Sequence, residues 1–281
     1  MSTWPDDTGA PSMLHEVREG VGILTLNRPQ KLNAWTPSMA RSYFSLLEEM
    51  AKDREVRAIL LCGAGRAFCA GADMSGLGNI AEGADAQAER TNRPYWFALS
   101  IGKPIVAAVQ GACMGLGLQL ALCCDVRFVA DDAKLAAVYA KRGLVGELGL
   151  TWLLPRLIGT GAALDLLLSG RSVEAQEALA LGLANRIVPA AGLFEQAFDY
   201  CKTLASTCAP WSMRALKQQI YADLMDRLDG AYERSEELLG RALSGADFAE
   251  GVRAFVDKRV PQFPPLAPEL WSIDIFGGKP S

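Results

Sequence analysis

The sequence predicts an α/β protein whose C-terminal part is entirely helical. Short apolar segments such as residues 21–26 (VGILTL) alternate with amphipathic helical patterns, which is typical of strands that alternate with helices. After Leu193 only helical patterns remain. We therefore predict two parts, an α/β body over residues 1–195 and a helical region over residues 196–281.

In the body, Thr36 and Pro37 provide a cap and a first turn for a helix. Its expected buried face is apolar and consists of Met39, Tyr43, Phe44, Leu47 and Met50. A second amphipathic pattern predicts a helix from Val173 to Leu181 that ends at Gly182, followed by a short strand in residues 185–189 (NRIVP). Residues 79–94 are polar and predict a mobile surface segment.

The C-terminal part contains three long helical patterns and a short one. The long patterns are one that ends before Ala209, one from Ser212 to Met225 and one from Asp229 to Leu243. The short helix is predicted to start at Asp247, with Glu250 as the acid of a capping box.

Composition and charge exclude several functional classes. Half of the 281 residues are apolar, the formal net charge is −4, and no basic cluster predicts a nucleic-acid partner. No apolar run reaches the ~20 residues of a membrane-spanning helix. The N-terminus has neither the basic nor the apolar part of a signal peptide. We expect a cytoplasmic protein that does not enter a membrane and that binds small molecules.

Cysteine and histidine usage excludes further chemistry. The seven cysteines form no CxxC pair, so reduced, buried thiols are expected, and no metal site. The one histidine, His15, lies near the N-terminus, which gives little support to a Ser–His–Asp or Cys–His mechanism. The sequence also lacks GxSxG, a P-loop and a complete dinucleotide fingerprint. The reaction types left by these exclusions are those that use backbone amides and carboxylates.

Two glycine-rich turns can supply such amides. They lie in residues 63–77 (GAGRAFCAGADMSGL) and 109–125 (VQGACMGLGLQLALCCD), each after a strand pattern. Small residues let a ligand approach the main chain, the first amides of a helix have no intrahelical acceptor, and Asp73 can cap the turn after it. Two such turns face to face would form an oxyanion hole. Either motif alone is weak, because tight turns use glycine for packing as well.

Together, six motifs resemble the enoyl-CoA hydratase/isomerase (crotonase) superfamily in order and spacing. They are LNRPQKLNAW, GRAFCAGADM, QGACMGLGLQLALCCDVRFVA, KRGLVGELGLTWLLPRLIG, LLLSGRSVEAQEALALGLANRIVP and AFVDKR. The resemblance runs from about Val17 to Phe263 and implies a spiral of ββα turns with a C-terminal helical trimerisation region, often in a dimer of trimers. It also implies an acyl-CoA substrate, whose coenzyme A is the only cofactor expected. It leaves the reaction open.

The resemblance further implies a set of binding residues. The amides of Ala70 and Leu116 are expected to hold the thioester oxygen, although the family usually has glycine at the position of Leu116. Residues 71–73 (Gly71, Ala72 and Asp73) would line the coenzyme A arm, Arg28 and Lys31 would lie near its nucleotide, and Lys258 would meet a phosphate from a neighbouring subunit. For Arg28, Lys31 and Lys258, a solvated surface charge is an equal alternative.

The chain departs from the family where hydratases carry two catalytic glutamates. Gln119 and Tyr139 stand there, and neither can act as a carboxylate base. Gln119 is expected to orient water or substrate by hydrogen bonds, and Tyr139 could donate a proton. Glu147, eight residues after Tyr139, compensates, because some isomerases and a dehalogenase of the superfamily resemble this chain in carrying a catalytic aspartate there. We expect Leu144, Val145, Leu148 and Trp152 to surround it and raise its pKa. The alternative is an acid that caps the next helix.

Three other positions receive a weaker interpretation. Asp125 matches a structural acid of the family, and Trp96, Phe97 and Met74 could line the acyl pocket or belong to the core.

The sequence thus predicts an acyl-CoA enzyme that stabilises a thioester enolate, with Glu147 as its acid or base, in hydration or double-bond isomerisation. Two alternatives stay open. One is hydrolysis or carbon–carbon cleavage of an acyl-CoA, and the other is a protein that binds acyl-CoA without turnover.

Overall fold

A computed structural model describes residues 11–82 and 93–274 of the chain, without the side chains of residues 79 and 80. The strands are β1 (Met13–Arg18), β2 (Val21–Leu26), β3 (Ala58–Gly63), β4 (Ile105–Val109), β5 (Ala112–Met114), β6 (Val126–Ala130), β7 (Lys134–Ala136), β8 (Ser172–Glu174) and β9 (Arg186–Val188). The helices are α1 (Pro37–Lys52), α2 (Met74–Ala81), α3 (Leu116–Leu122), α4 (Leu150–Ile158), α5 (Thr160–Ser169), α6 (Ala175–Leu181), α7 (Leu193–Thr207), α8 (Pro210–Asp223), α9 (Leu228–Leu243) and α10 (Ala246–Asp257).

The strands form two sheets that the chain visits in turn. The larger sheet has the order β1-β2-β3-β4-β6-β9 and is parallel apart from the β1–β2 pair, and the smaller has the order β5-β7-β8. The chain passes from β4 to β5 and then into α3, and from β6 it returns to the smaller sheet at β7. This arrangement confirms the predicted α/β spiral of ββα turns.

The core lies between the larger sheet and the helices that cover it. Every residue of β4 is buried, as a central parallel strand with both faces covered requires. The predicted buried face of α1 is confirmed, and the Thr36 hydroxyl accepts a hydrogen bond from the Met39 amide at 3.2 Å. Helix α7 packs against β2, β3, β4 and β6.

Several predicted boundaries differ from the observed ones. Val173 lies in β8, which pairs with β7, so the following helix α6 begins at Ala175. Glu250 does not form a capping box, because its carboxylate binds Arg259 instead. The division predicted after residue 195 falls inside α7, which belongs with the body because it packs on the larger sheet. The predicted surface segment over residues 79–94 lies largely outside the described residues, apart from its first residues in α2 and its end.

Helices α8 to α10 form the C-terminal part and leave large apolar side chains exposed. Leu228 of α9 is 85% exposed and Phe255 of α10 is 86% exposed. An apolar cavity of about 670 Å³ lies between α8, α10 and the chain that follows, lined by residues that include Trp211, Phe248 and Phe263. Within residues 11–82 and 93–274, no helix has the length and apolar character that crossing a membrane would need.

Candidate active site

The two glycine-rich turns meet in the structure. The Cys69 amide donates to the Ala112 carbonyl, and the Met114 amide donates to the Cys69 carbonyl, each at 3.0 Å. A Cβ atom on Gly117 would lie 2.2 Å from the Cys69 oxygen, and one on Gly71, at φ +100°, would lie 3.0 Å from the Met114 oxygen. Glycine therefore permits the close approach of the chain after β3 to the start of α3.

The structure corrects the predicted oxyanion donor Ala70. Its amide donates to the Leu32 carbonyl at 3.0 Å and is therefore occupied. Ala72, two residues after Ala70, pairs with Trp35 in a parallel β-bridge. In this bridge the Trp35 amide donates to the Gly71 carbonyl, and the Asp73 amide donates to the Trp35 carbonyl. Successive amides of an extended chain point in opposite directions, so the Ala72 N–H points away from Trp35. It has no hydrogen-bond acceptor among the described residues.

Leu116 provides a second amide on the other turn. It is the first residue of α3, where a backbone N–H has no intrahelical acceptor. The preceding Gly115, at φ +52°, donates its own amide to the Ala136 carbonyl at 2.8 Å, which fixes the turn. No acceptor for the Leu116 N–H occurs in the described parts of the chain. Each turn thus has an amide without an acceptor among the described residues, Ala72 on the first turn and Leu116 on the second.

Asp73 anchors the first turn, as predicted for a cap. Its carboxylate accepts hydrogen bonds from the Ser75 amide at 3.1 Å and from the Arg28 guanidinium at 2.8 Å. Burial opposes ionisation of Asp73, but the hydrogen bonds from Ser75 and Arg28 outweigh it and lower its pKa. Arg28 is only 2% exposed and also binds the Ala34 carbonyl. It is therefore not a solvated surface charge, whereas Lys31 is exposed.

Glu147 lies on a loop whose backbone is left-handed directly after it. Leu148 has φ +58° and Gly149 has φ +88°. The side-chain amide of Gln119 donates to the Leu148 carbonyl at 2.9 Å. Glu147 does not cap α4, because the N-cap residue is Gly149. The expected aliphatic enclosure is also wrong for the single chain, since Glu147, Leu144 and Val145 are exposed.

Two tyrosines lie within the electrostatic field of Glu147. Burial and then the charge of Glu147 raise the pKa of Tyr139. Burial likewise raises the pKa of Tyr95 to about 12, with a further contribution from Glu147, although a hydrogen bond from Trp35 opposes it. Both phenols are therefore neutral near pH 7 and can donate a proton but not accept one.

Tyr139 also lies next to the second turn. Its ring comes within 4.0 Å of the position that a Cβ on Gly115 would occupy. Its hydroxyl is buried and has no hydrogen-bond partner among the described residues. Tyr139 thus lies close both to Glu147 and to the Leu116 turn.

Other predicted positions lie elsewhere. Phe97 is a core residue that packs against Phe44 and Trp271, and Met74 is exposed. Trp96 is half-buried against the core. Asp125 is structural, because it accepts hydrogen bonds from the Ile105 amide and from Lys217. Lys258 is exposed at the end of α10.

Sequence reasoning missed Trp35 and Tyr95, and it named Leu148 only as part of an aliphatic enclosure of Glu147. The indole of Trp35 donates to the Tyr95 hydroxyl at 2.9 Å, which links the Ala72 segment to the tyrosine near Glu147. Trp35 ends the motif LNRPQKLNAW, and that position is the one signal that could have indicated it. A leucine at positive φ has no signature in the sequence.

Comparison with known proteins agrees with this geometry. The family model for enoyl-CoA hydratase/isomerase matches residues 16–265. A probable enoyl-CoA hydratase of Mycobacterium tuberculosis is 35% identical over 255 residues, which cover 90% of this chain and 97% of that protein. The 1,2-epoxyphenylacetyl-CoA isomerase of Escherichia coli is also 35% identical, over 89% of this chain and 97% of its own length.

A solved structure leads to the same family. The crystal structure of a putative enoyl-CoA hydratase from Streptomyces coelicolor superimposes with a TM-score of 0.84 and 31% identity, over 94% of this chain and 99% of that one. The kind of substrate follows from the family, and it is an acyl-CoA thioester. This chain therefore belongs to the enoyl-CoA hydratase/isomerase family and is an enzyme of that family.

Proposed function

We propose that the enzyme forms a thioester enolate and moves a proton along the acyl chain with Glu147, so that a carbon–carbon double bond is shifted or hydrated. The observation that carries this proposal is the presence of one carboxylate, Glu147, near two turns that each have an amide without an acceptor among the described residues. Gln119 and Tyr139 occupy the other catalytic positions of the family and provide no carboxylate.

The amides of Ala72 and Leu116 would bind the thioester oxygen. Removal of a proton next to the thioester moves negative charge onto that oxygen, and two N–H donors stabilise the charge as it develops. The donors belong to backbone fixed by neighbouring hydrogen bonds, so little reorganisation accompanies the reaction. We propose Ala72 in place of Ala70, because the Ala70 amide is occupied.

Glu147 would remove a proton at one carbon of the acyl group and return it at another. A single carboxylate suffices for this exchange, because the enolate delocalises over the carbons between them. Two-glutamate hydration needs a separate acid and base, which favours isomerisation here, with hydration through one water as the second possibility. The similar Escherichia coli protein is named as an isomerase of an acyl-CoA, which is consistent with this choice.

Assembly and location belong to the same proposal. The exposed apolar side chains of α9 and α10 support a trimer, or a dimer of trimers, formed through the C-terminal helices. In such an assembly Lys258 would bind a coenzyme A phosphate of the adjacent protomer, and Lys31 would lie near the nucleotide of its own. We propose that the enzyme works in the cytoplasm with no cofactor beyond the coenzyme A of its substrate.

A panel of 2-enoyl-, 3-enoyl-, dienoyl- and hydroxyacyl-CoA thioesters tests the reaction, with both new acyl products and free CoA followed by mass spectrometry. We expect interconversion of 2-enoyl- and 3-enoyl-CoA or of enoyl- and hydroxyacyl-CoA, without release of CoA. Glu147→Gln should lower the rate at least ~100-fold with little change in thioester affinity. Release of free CoA, a trapped acyl-enzyme, or binding of the whole panel without turnover would contradict the proposal.

A further inference from the structure

We infer that Gln119 is a positioning residue, which holds the Glu147 carboxylate at the acyl chain by binding the peptide that follows it. This inference rests on the proposed role of Glu147. Gln119 was expected to orient water or substrate, but its side-chain amide donates at 2.9 Å to the carbonyl of Leu148. It therefore acts on the backbone of the Glu147 loop.

The short helix α3 connects the two halves of the site. Leu116, its first residue, provides one of the available amides, and Gln119 lies on the next turn. Gln119 is 0% exposed, and its amide nitrogen also lies 3.4 Å from the Cys123 sulfur, so the side chain is fixed within the core. The hydrogen bond to Leu148 thus sets the distance between the oxyanion donors and the Glu147 loop.

The hydrogen bond from Gln119 to the Leu148 carbonyl, called the tether below, stabilises a strained part of the Glu147 loop. Leu148 has φ +58°, a conformation that costs a residue with a Cβ about 1–2 kcal/mol. Glu147 and Gly149 on either side are exposed, so packing holds them little. A charge-neutral donor on the Leu148 carbonyl offsets this strain and fixes the peptide plane next to Glu147.

The chemistry of the position favours an amide over an acid. An ionised glutamate at this place would face the Leu148 carbonyl with a negative charge, whereas glutamine donates to it. The Oε1 atom of Gln119 is buried and accepts no hydrogen bond from the described residues. The backbone partner of this side-chain amide among the described residues is the Leu148 carbonyl, which its nitrogen binds as a donor.

The first test compares Gln119→Met with Asn185→Leu. Both variants remove a side-chain amide that binds the backbone of a distant part of the chain. The Asn185 side chain accepts a hydrogen bond from the Arg127 amide at 2.8 Å, between β6 and β9 of the larger sheet and outside the glycine-rich turns and the Glu147 loop. We expect Gln119→Met to lower kcat about 10- to 100-fold with KM nearly unchanged, because a small misplacement of a reacting group has effects of this size. Asn185→Leu should keep kcat within about 3-fold, even where its melting temperature falls.

Amide hydrogen exchange provides a readout that needs no turnover. The amides of Leu150 and Trp152 bind the carbonyls of Glu147 and Gly149 and should be protected in the wild-type protein. Exchange over residues 144–152 should accelerate in Gln119→Met and stay unchanged in Asn185→Leu. Equal exchange in the two variants would overturn the tether.

The charge state of the side chain gives a second, sharper test. In Gln119→Glu the new carboxyl is buried, which raises its pKa, and its protonated form can donate to the Leu148 carbonyl. The ratio of variant to wild-type kcat should therefore rise as the pH falls and the new carboxyl gains its proton. A ratio independent of pH, or a gain of hydratase activity at neutral pH, would contradict the inference.

A double-mutant cycle separates this inference from the proposed function. If Gln119 acts through Glu147, Gln119→Met should have little further effect in a Glu147→Gln background. Additive losses would overturn the positioning role and leave the role of Glu147 intact. Full activity of Glu147→Gln alone would instead overturn the proposed function, and the hydrogen-exchange result would still decide whether the tether exists.

Discussion

The two halves of the proposed site are built in opposite ways. The oxyanion turns consist of backbone, and close glycine contacts and hydrogen bonds fix them within the core. The Glu147 loop is largely exposed, has a left-handed leucine, and accepts a side-chain hydrogen bond from Gln119 at the Leu148 carbonyl. The half that binds charge therefore tolerates different side chains, such as leucine at position 116, whereas the half that moves the proton depends on the identity of few residues.

The largest effect is expected from removing one backbone N–H donor of the oxyanion turns. Replacing Ala72 by its α-hydroxy acid counterpart converts an N–H donor into an ester oxygen. We expect kcat to fall about 10²- to 10³-fold, as for loss of one oxyanion donor. The measurement is steady-state turnover of the thioester identified in the panel.

The same replacement at Ala70 is the matched control. There the lost N–H binds the Leu32 carbonyl, so stability should fall and kcat should change much less. A larger kcat loss at Ala70 than at Ala72 would restore Ala70 as the oxyanion donor.

Gly117→Ala should force the two turns apart. The new Cβ would meet the Cys69 carbonyl at 2.2 Å, and overpacking of this kind costs about 1–3 kcal/mol of unfolding free energy. Chemical denaturation should show this loss, together with a fall in kcat. At Gly240 in α9 a Cβ meets nothing within 4 Å, so Gly240→Ala should be neutral or slightly stabilising. Equal stability of the two variants would mean that the turns do not touch as described.

A smaller effect is expected for Lys258, which lies outside both halves. Lys258→Ala should weaken coenzyme A binding about 3- to 10-fold, the range for loss of a partly exposed charge contact, and leave kcat unchanged. Calorimetry with coenzyme A measures the change. An unaltered dissociation constant would remove Lys258 from the site.

The smallest effect concerns the pH dependence of the turn that Asp73 anchors. The pKa of Asp73 is lowered in the folded protein, so its contribution to stability is present above the unfolded value of about 4 and is lost as the pH falls below it. Asp73→Asn should therefore be less stable than the wild type at pH 7, and the difference should shrink below pH 4. Urea unfolding as a function of pH checks this, and a difference that persists at pH 3 would contradict it.

The contrast between the halves also explains what the sequence predicted. The sequence Thr36–Pro37 predicted the start of α1, and the alternating apolar patterns predicted the strands, because local propensity and burial favour the same structure there. Glycine spacing indicated the two turns. It could not distinguish Ala70 from Ala72, because which amide remains available depends on the carbonyl of Leu32, more than thirty residues away in the chain.

The errors at the site have the same origin in long-range contacts. For Arg28 the sequence left a place near the nucleotide and a solvated surface charge as equal alternatives, and the second is wrong because Arg28 is buried in an ion pair with Asp73. The aliphatic residues around Glu147 suggest an enclosure, yet the left-handed backbone at Leu148 and Gly149 leaves Glu147, Leu144 and Val145 exposed. The predicted start of α6 was wrong because Val173 pairs with β7, some forty residues upstream, and so belongs to a sheet.

Proton exchange between the acyl chain and solvent tests the central claim most directly. Wild-type enzyme and Glu147→Gln are each saturated with 3-enoyl-CoA in deuterium oxide, and deuterium in the acyl chain is followed by mass spectrometry. Wild-type enzyme should incorporate deuterium, and Glu147→Gln should do so at least ~100-fold more slowly at equal thioester occupancy. Incorporation at the same rate by both proteins would contradict Glu147 as the group that moves the proton.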